Sequence, residues 1–172
     1  MEIKQDQKTI KSPEEILEYL LKQHMHYYTI NTKDPAEPFR AEAQFSIHGE
    51  NYFLMKAAKF TEMNSAEHVF FAVEDKLDTE RLSMLENRAW NLCLERTEAK
   101  ENHRNTDAIL YIIAKETEPE AMRLIPKLRH YKSYRFGLHG WNGFKIVAYE
   151  CSSGKTVSNR LGRPLKAFFA NM

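Results

Sequence analysis

One stretch of the sequence concentrates basic and aromatic residues of the kind that bind anions. It runs from Arg129 to Lys145 and interleaves arginine, lysine and histidine with tyrosine, phenylalanine, tryptophan and glycine. Basic side chains neutralise phosphates, aromatic rings stack on bases, and glycines let a backbone approach a ligand closely. The composition therefore suits a nucleic-acid or nucleotide surface, for which the predicted binding residues are Arg129, Lys132, Tyr134, Arg135, Trp141 and Lys145, extended by Arg160 and Arg163.

The same stretch also has a purely structural interpretation. In that interpretation the apolar side chains cap the open end of the core while the charges stay in solvent; they are Tyr134, Phe136, Leu138, Trp141 and Phe144. The charge distribution leaves both interpretations open. Residues 1–120 carry 15 Lys and Arg against 23 Asp and Glu, whereas residues 121–172 carry 10 against 1. Such a split indicates either a face for a polyanion or a basic part that packs beside the acidic helices of its own domain.

A second candidate for chemistry is the motif Glu74-Asp75-Lys76, which follows an apolar run. Metal-dependent nucleases hold Mg²⁺ with carboxylates and use a lysine to stabilise the attacking water or the developing charge. Glu74 and Lys76 would then act with Glu62 or Glu50 as the upstream acid. Charged residues are also expected where a strand passes into a helix. We therefore predict no catalytic residue, no metal and no cofactor from the sequence, and keep the nuclease as an alternative.

These residues need a scaffold, and the hydrophobic pattern predicts one. Ser12-Pro13-Glu14-Glu15 predicts the start of a helix that extends to Tyr28, and Asp78 predicts the N-cap of a second. A third helix begins near Thr117 or Glu118, and Pro126 ends or kinks it. Alternating and continuous apolar runs predict strands at 39–48 and 52–60, which form a hairpin, and then at 68–73, 108–114, 144–149 and 156–158.

The resulting order is α-β-β-β-α-β-α-β with a possible last strand. It predicts a single α/β (α+β) domain over residues 1–172, in which helices flank one mixed sheet. We expect residues 1–11 to be loose and residues 159–172 to form a basic tail. The order overlaps the α-β-β-β-α-β core of restriction-endonuclease-like nucleases, an analogy of fold that says little about function.

The composition of the sequence indicates where in the cell the protein is located and whether it associates with a membrane. The sequence contains no run of about eighteen apolar residues and no apolar segment at its start like that of a secretory signal. Two cysteines, Cys93 and Cys151, are too few for a disulfide framework. We expect a cytoplasmic protein with no membrane partner.

Short motifs in the C-terminal half resemble those of a family of small uncharacterised bacterial proteins. The motifs are His130-Tyr131-Lys132-Ser133, Phe136-Gly137 and Gly140-Trp141, and Ser158-Asn159-Arg160-Leu161-Gly162-Arg163 is also similar. With the segment around Tyr52-Phe53-Leu54, the resemblance covers most of residues 15–166. The order His130-Tyr131 and the presence of Pro126 depart from the pattern of the family. The resemblance implies no known activity.

Three functions remain as hypotheses. The first is a non-catalytic binding or accessory domain that presents the 129–145 segment, with Arg160 and Arg163, to an anionic partner such as nucleic acid. The second is the metal-dependent nuclease. The third is a subunit or scaffold whose aromatic segment contacts a protein partner or a second copy of the chain.

Overall fold

The computed structural model describes residues 11–46, 64–170 and 172. Within them the α-helices are α1 (Pro13–His24), α2 (Thr79–Arg96) and α3 (Pro119–Leu124). The strands are β1 (Thr29–Asn31), β2 (Ala41–Ser46), β3 (Asn64–Leu77), β4 (His103–Thr117), β5 (Tyr131–Ser133), β6 (Trp141–Glu150) and β7 (Lys155–Ser158). Short 3₁₀ helices span Ile125–Lys127, Arg135–Gly137 and Arg163–Phe169. The predicted strand at 52–60 lies outside the described residues.

All the described strands belong to one mixed sheet. Its order is β1-β2-β3-β4-β6, and β5 and β7 both pair with the outer edge of β6. β1, β2 and β3 form an antiparallel meander, whereas β3, β4 and β6 are parallel and are connected through α2 and α3. The predicted class, a mixed sheet flanked by helices, is confirmed.

The sheet is covered on both faces because its central strands are apolar on both sides. In β3 and β4 alternate residues enter different cores: Phe70 and Leu110 face α2 and α3, whereas Phe71 and Tyr111 face α1 and the C-terminal 3₁₀ helix. This explains the continuous apolar run predicted for β4, since a strand covered on both faces does not alternate. We call the two sides of the sheet the α2 face and the α1 face.

Local signals at the helix ends behave as predicted. The Ser12 hydroxyl accepts a 3.2 Å hydrogen bond from the Glu15 N–H, and the Glu15 carboxylate accepts one of 2.7 Å from the Ser12 N–H, which completes a capping box. The Asp78 carboxylate likewise caps α2 through the Arg81 N–H at 2.7 Å. Pro126 lies in the 3₁₀ turn that follows the end of α3.

Two boundaries differ from the prediction. α1 ends at His24 instead of Tyr28, because the N–H groups of Tyr27 and Tyr28 both bond to the His24 carbonyl and close a turn. The strand that follows, β1, has three residues, too few to show an alternating pattern. β3 and β4 are longer than predicted because their ladder continues through polar residues, from Glu67 opposite Asp107 to Lys76 opposite Glu116.

Candidate functional site

A gap in the pairing along the outer edge of β6 creates a pocket. β5 pairs with residues 141–143 and β7 with residues 147–150, so neither strand pairs with the stretch between them. The side chain of Asn159 fills this gap: its amide donates to the Phe144 carbonyl at 2.9 Å, and its oxygen accepts from the Ile146 N–H at 3.3 Å. Asn159 thus imitates the missing strand.

Asn159 also fixes the chain on either side of the gap. Its amide donates to the Leu128 carbonyl at 3.1 Å, and its oxygen accepts from the Gly162 N–H at 2.7 Å. At Gly162 any Cβ atom would collide with the Ile146 carbonyl oxygen, so only glycine allows this close approach. The motif Ser158-Asn159-Arg160-Leu161-Gly162-Arg163 is therefore a structural corner that holds Arg160 and Leu161 outward.

The pocket at the gap has a volume of about 280 Å³ and joins two of the predicted binding residues. Arg129 enters from the segment before β5, and Arg160 enters from the corner after β7. Both arginines are exposed, and the buried ring of Phe144 provides an apolar wall. The complete lining is Arg129, His130, Tyr131, Phe144, Asn159, Arg160 and Leu161. We call this the edge pocket.

His130 is held rigidly in the wall of the edge pocket. Its ring stacks on Trp90 with the ring centres 5.0 Å apart, and its Nε2 lies 2.7 Å from a carboxylate oxygen of Glu86. Because an ionised carboxylate only accepts, Nε2 carries the hydrogen of this bond. The stacking and the hydrogen bond position the pocket against α2.

The loop between β5 and β6, residues 134–140, presents apolar side chains to solvent; we call it the hairpin tip. The side chains of Phe136 and Leu138 are exposed to 104% and 78%. The backbone at Arg135 and Phe136 has φ values of 45° and 55°, a left-handed conformation that costs a non-glycine residue about 1–2 kcal/mol. The interpretation in which these apolar side chains cap the core is wrong for Phe136 and Leu138.

Some aromatic rings of the 129–145 segment pack against the protein, whereas others are exposed to solvent. Phe144 is fully buried, and Tyr134 lies partly buried with its ring centre 5.9 Å from that of His103. Trp141 is 39% exposed and Tyr131 68% exposed.

Most basic side chains of this region form no ion pair with the acidic residues of the described part of the chain. Among the ten Lys and Arg residues after position 120, only Arg123 and Lys145 lie within 4.0 Å of a carboxylate of the described residues. The predicted binding residues that form no such ion pair there are Arg129, Lys132, Arg135, Arg160 and Arg163. Lys132 instead places its ammonium 5.3 Å from the ring centre of Tyr134.

Lys145 does not belong to this surface. Its side chain lies on the α1 face, where its ammonium is 2.8 Å from Asp107 and 3.2 Å from Glu67. Burial lowers the pKa of Lys145, but Asp107 and Glu67 outweigh it and raise the pKa above its usual value. We call Glu67, Asp107 and Lys145 the acid–lysine cluster. The sequence analysis missed both acids, although each directly precedes a predicted strand and adjacent parallel strands begin at the same edge of a sheet.

The two described residues of the nuclease hypothesis, Glu74 and Lys76, each form an ion pair with another side chain. Glu74 forms a bidentate ion pair with Arg81 at 2.8 and 2.9 Å, and Lys76 pairs with Glu118 at 2.7 Å. Glu50 and Glu62 lie outside the described residues. The nuclease site at these positions stays a prediction.

Three further features of the described residues bear on the kind of site. In the described ranges, no group of three or more His, Cys, Asp or Glu side chains is arranged to hold a metal ion. Cys93 and Cys151 are both buried free thiols, and burial raises the pKa of each to about 11. No described helix has both the length and the apolar character needed to cross a membrane.

Fold and site together define a mixed α/β sheet domain with a basic pocket at one sheet edge. The chain belongs to the family described as Domain of unknown function (DUF8052), whose model matches residues 12–171. This finding agrees with the resemblance to an uncharacterised family. The chain matched none of the curated proteins and none of the solved structures with which it was compared.

Proposed function

We propose that this protein binds single-stranded nucleic acid, without chemistry, on the surface formed by the edge pocket and the hairpin tip. The observation that carries the proposal is that Arg129 and Arg160, from distant parts of the chain, line one pocket and have no carboxylate partner among the described residues. Two unpaired guanidinium groups beside an apolar wall suit a phosphate attached to an aromatic base.

The volume of the edge pocket is suited to a single nucleotide. Its volume of about 280 Å³ is near the lower limit of small-molecule sites, which is about 300 Å³. A longer strand would continue over the neighbouring surface, where Lys132 and Arg135 are exposed.

Exposed rings supply the stacking surface that a single strand requires. Tyr131 lies opposite Gly143 and Trp141 lies opposite Ser133 in the β5–β6 ladder. Residues paired in this way share a face of the sheet, so the rings of Tyr131 and Trp141 are diagonal neighbours. Their face is the α1 face, to which Lys145 also belongs, whereas Phe144 points to the α2 face. Stacking on such rings tolerates any base, and duplex DNA, whose bases are already stacked, should bind less tightly.

The test is fluorescence anisotropy with labelled single-stranded and duplex oligonucleotides at several salt concentrations. We expect single-strand binding that weakens steeply with salt, since bound phosphates release counterions. The double variant Arg129→Ala/Arg160→Ala should bind more weakly, with a salt slope smaller by about 1.4, or about 0.7 for each phosphate contact.

A matched control is Lys33→Ala/Arg40→Ala, which removes two exposed cations before β2, near the opposite edge of the sheet. It should bind like the wild type. No binding even at low salt, or equal losses in the two double variants, would overturn the proposal.

Docking of a protein partner is a second candidate, and the exposed apolar side chains favour it. Phe136, Leu138 and Leu161 are all more than half exposed. This function predicts association that salt does not weaken and that sedimentation velocity detects without nucleic acid.

A further inference from the structure

The acid–lysine cluster lies at one position along three adjacent strands. Glu67 on β3 is directly opposite Asp107 on β4, and Asp107 is directly opposite Gly143 on β6. All three therefore lie on the α1 face. At Gly143 a Cβ atom would approach the Asp107 carboxylate to 2.6 Å, so the absence of a side chain leaves room for this carboxylate beside β6.

The cluster contains more negative than positive charge. Two carboxylates face the single ammonium of Lys145, and Tyr28 donates a hydrogen bond from its hydroxyl to Glu67. The side chains remain accessible, since Glu67, Asp107 and Lys145 are 25%, 15% and 24% exposed. A small cation can therefore reach the carboxylates from solvent.

A buried hydroxyl beside the cluster lacks a partner. Tyr111 is fully buried, and its hydroxyl forms no hydrogen bond with the described residues. It lies on the same face of β4 as Asp107, and its ring centre is 5.3 Å from that of His24. Burial, and then the nearby Tyr28 and Glu67, raise the pKa of Tyr111. Buried polar groups are nearly always hydrogen-bonded, so this hydroxyl is available to a polar ligand of the cluster or to a water that the ligand carries.

We propose that Glu67 and Asp107 bind a hydrated Mg²⁺ ion whose waters reach the Tyr111 hydroxyl. Mg²⁺ prefers carboxylate oxygens and keeps several waters, so one or two protein carboxylates are enough to hold it. Glu67, Asp107 and Lys145 include no imidazole or thiolate, the ligands typical of zinc. The nearby His24 contacts the rings of Tyr28 and Tyr111, and its Nδ1 bonds to the Leu20 carbonyl. Lys145 is an internal cation that the metal displaces, and its ammonium then faces an anionic group bound to the metal.

The cluster consists of two carboxylates and a lysine, the same residue types that the nuclease hypothesis placed around Glu74 and Lys76. Here three different strands, β3, β4 and β6, provide them. Periodicity within one strand cannot reveal such a set. The residues of the cation site lie outside the edge pocket and the hairpin tip, but Tyr131 of the proposed stacking surface pairs with Gly143 beside the cluster. The cation site is therefore tested without nucleic acid.

The test is isothermal titration calorimetry with MgCl₂ and with MnCl₂ at constant ionic strength, without nucleic acid. We expect one saturable site in the wild type. Glu67→Gln and Asp107→Asn should each weaken the affinity at least tenfold. Lys145→Met should tighten it several-fold, because that change removes the competing internal cation.

Two controls distinguish binding at this site from non-specific binding of Mg²⁺ to carboxylates and from loss of the fold. Glu74→Gln removes a carboxylate that pairs with Arg81 away from the cluster and should leave the affinity unchanged. Bound Mn²⁺ should broaden the amide resonance of Gly143 and spare that of Arg81, which shows where the ion lies in the folded protein.

The wild type decides between a metal site and a purely structural ion triad. If the triad only stabilises the fold, Lys145 keeps both carboxylates paired and the wild type shows no saturable binding of Mg²⁺. That result, or unchanged affinity in both Glu67→Gln and Asp107→Asn, would overturn the proposal.

Discussion

The side-chain amide of Asn159 donates a 2.9 Å hydrogen bond to the carbonyl oxygen of Phe144, in the gap between β5 and β7. Strand edges normally satisfy such carbonyls with another strand or with water. Here one side chain does so and also joins the two chain segments that carry Arg129 and Arg160. The shape of the edge pocket therefore depends on a residue that contributes no charge to it.

We predict that Asn159→Ala lowers the free energy of unfolding by about 2–4 kcal/mol. The change leaves four backbone groups without their partner, and each unsatisfied buried group costs about 1 kcal/mol or more. Urea denaturation followed by circular dichroism measures the change. Asn91→Ala, at an exposed position of α2, is the matched control and should stay within about 0.5 kcal/mol. Equal effects of the two changes would contradict the role assigned to Asn159.

Two tyrosines near the acid–lysine cluster allow a paired test of hydroxyl groups. Tyr28 donates to Glu67, whereas the Tyr111 hydroxyl has no partner among the described residues. In the presence of a chelator we expect Tyr28→Phe to cost about 1–2 kcal/mol, since hydrogen bonds to charged groups are strong. Tyr111→Phe should be neutral or stabilising, because it removes a buried group that is not hydrogen-bonded.

Chemical denaturation of both variants, repeated with excess Mg²⁺, completes this test. A ligand that binds only the folded state stabilises it by mass action. The Mg²⁺-dependent gain should be smaller in Tyr111→Phe than in the wild type. A large loss in Tyr111→Phe with the chelator present would mean that a water or another group already satisfies this hydroxyl.

The starts of α1 and α2 were predictable from the sequence, but the edge pocket was not. A capping box at Ser12 and an N-cap at Asp78 need only neighbouring residues, so both helix starts could be predicted. Arg129 and Arg160 could be named from composition alone. Their convergence could not, because it depends on β5 and β7 sharing one edge of β6.

Long-range pairing also explains the acids that were missed. Glu67 and Asp107 meet only because β3 and β4 are parallel neighbours with this register. A register shifted by one residue would turn the side chains of one strand to the other face. Single-strand patterns carry no information about that register.

Burial of His68 predicts a pH-dependent loss of stability. Burial, and then the guanidinium of Arg96, lower the pKa of His68 from 6.5 to about 4, although Glu42 opposes them. Between these two values the unfolded chain binds a proton that the folded chain does not. The free energy of unfolding should therefore fall as the pH decreases from 6.5 towards 4, by up to about 1.4 kcal/mol per unit. Above that range His68 contributes no pH dependence.

Denaturation curves measured across this range check the effect against His68→Met. The variant lacks the titrating group, so its stability should change less steeply with pH than that of the wild type. Val69→Ala, in the same strand, is a control that lowers stability without removing a proton site. It should keep the wild-type slope. Identical slopes for the wild type and His68→Met would show that another group causes any acid sensitivity.

Phe136 allows binding to be separated from folding. Its side chain is fully exposed and its backbone is left-handed, with φ at 55°. Asparagine tolerates that conformation better than phenylalanine does. Phe136→Asn should therefore leave the free energy of unfolding equal or slightly higher, because no buried area is lost and backbone strain is relieved.

The same variant should bind single-stranded oligonucleotides about 5- to 150-fold more weakly, the range that corresponds to about 1–3 kcal/mol for the loss of one stacked base. Fluorescence anisotropy measures the affinity, and thermal denaturation confirms that the fold is intact. Lys22→Ala, at an exposed position of α1, should change neither quantity. If Phe136→Asn binds like the wild type, the hairpin tip does not stack on bases. Its exposed apolar side chains, Phe136 and Leu138, then favour contact with a protein partner.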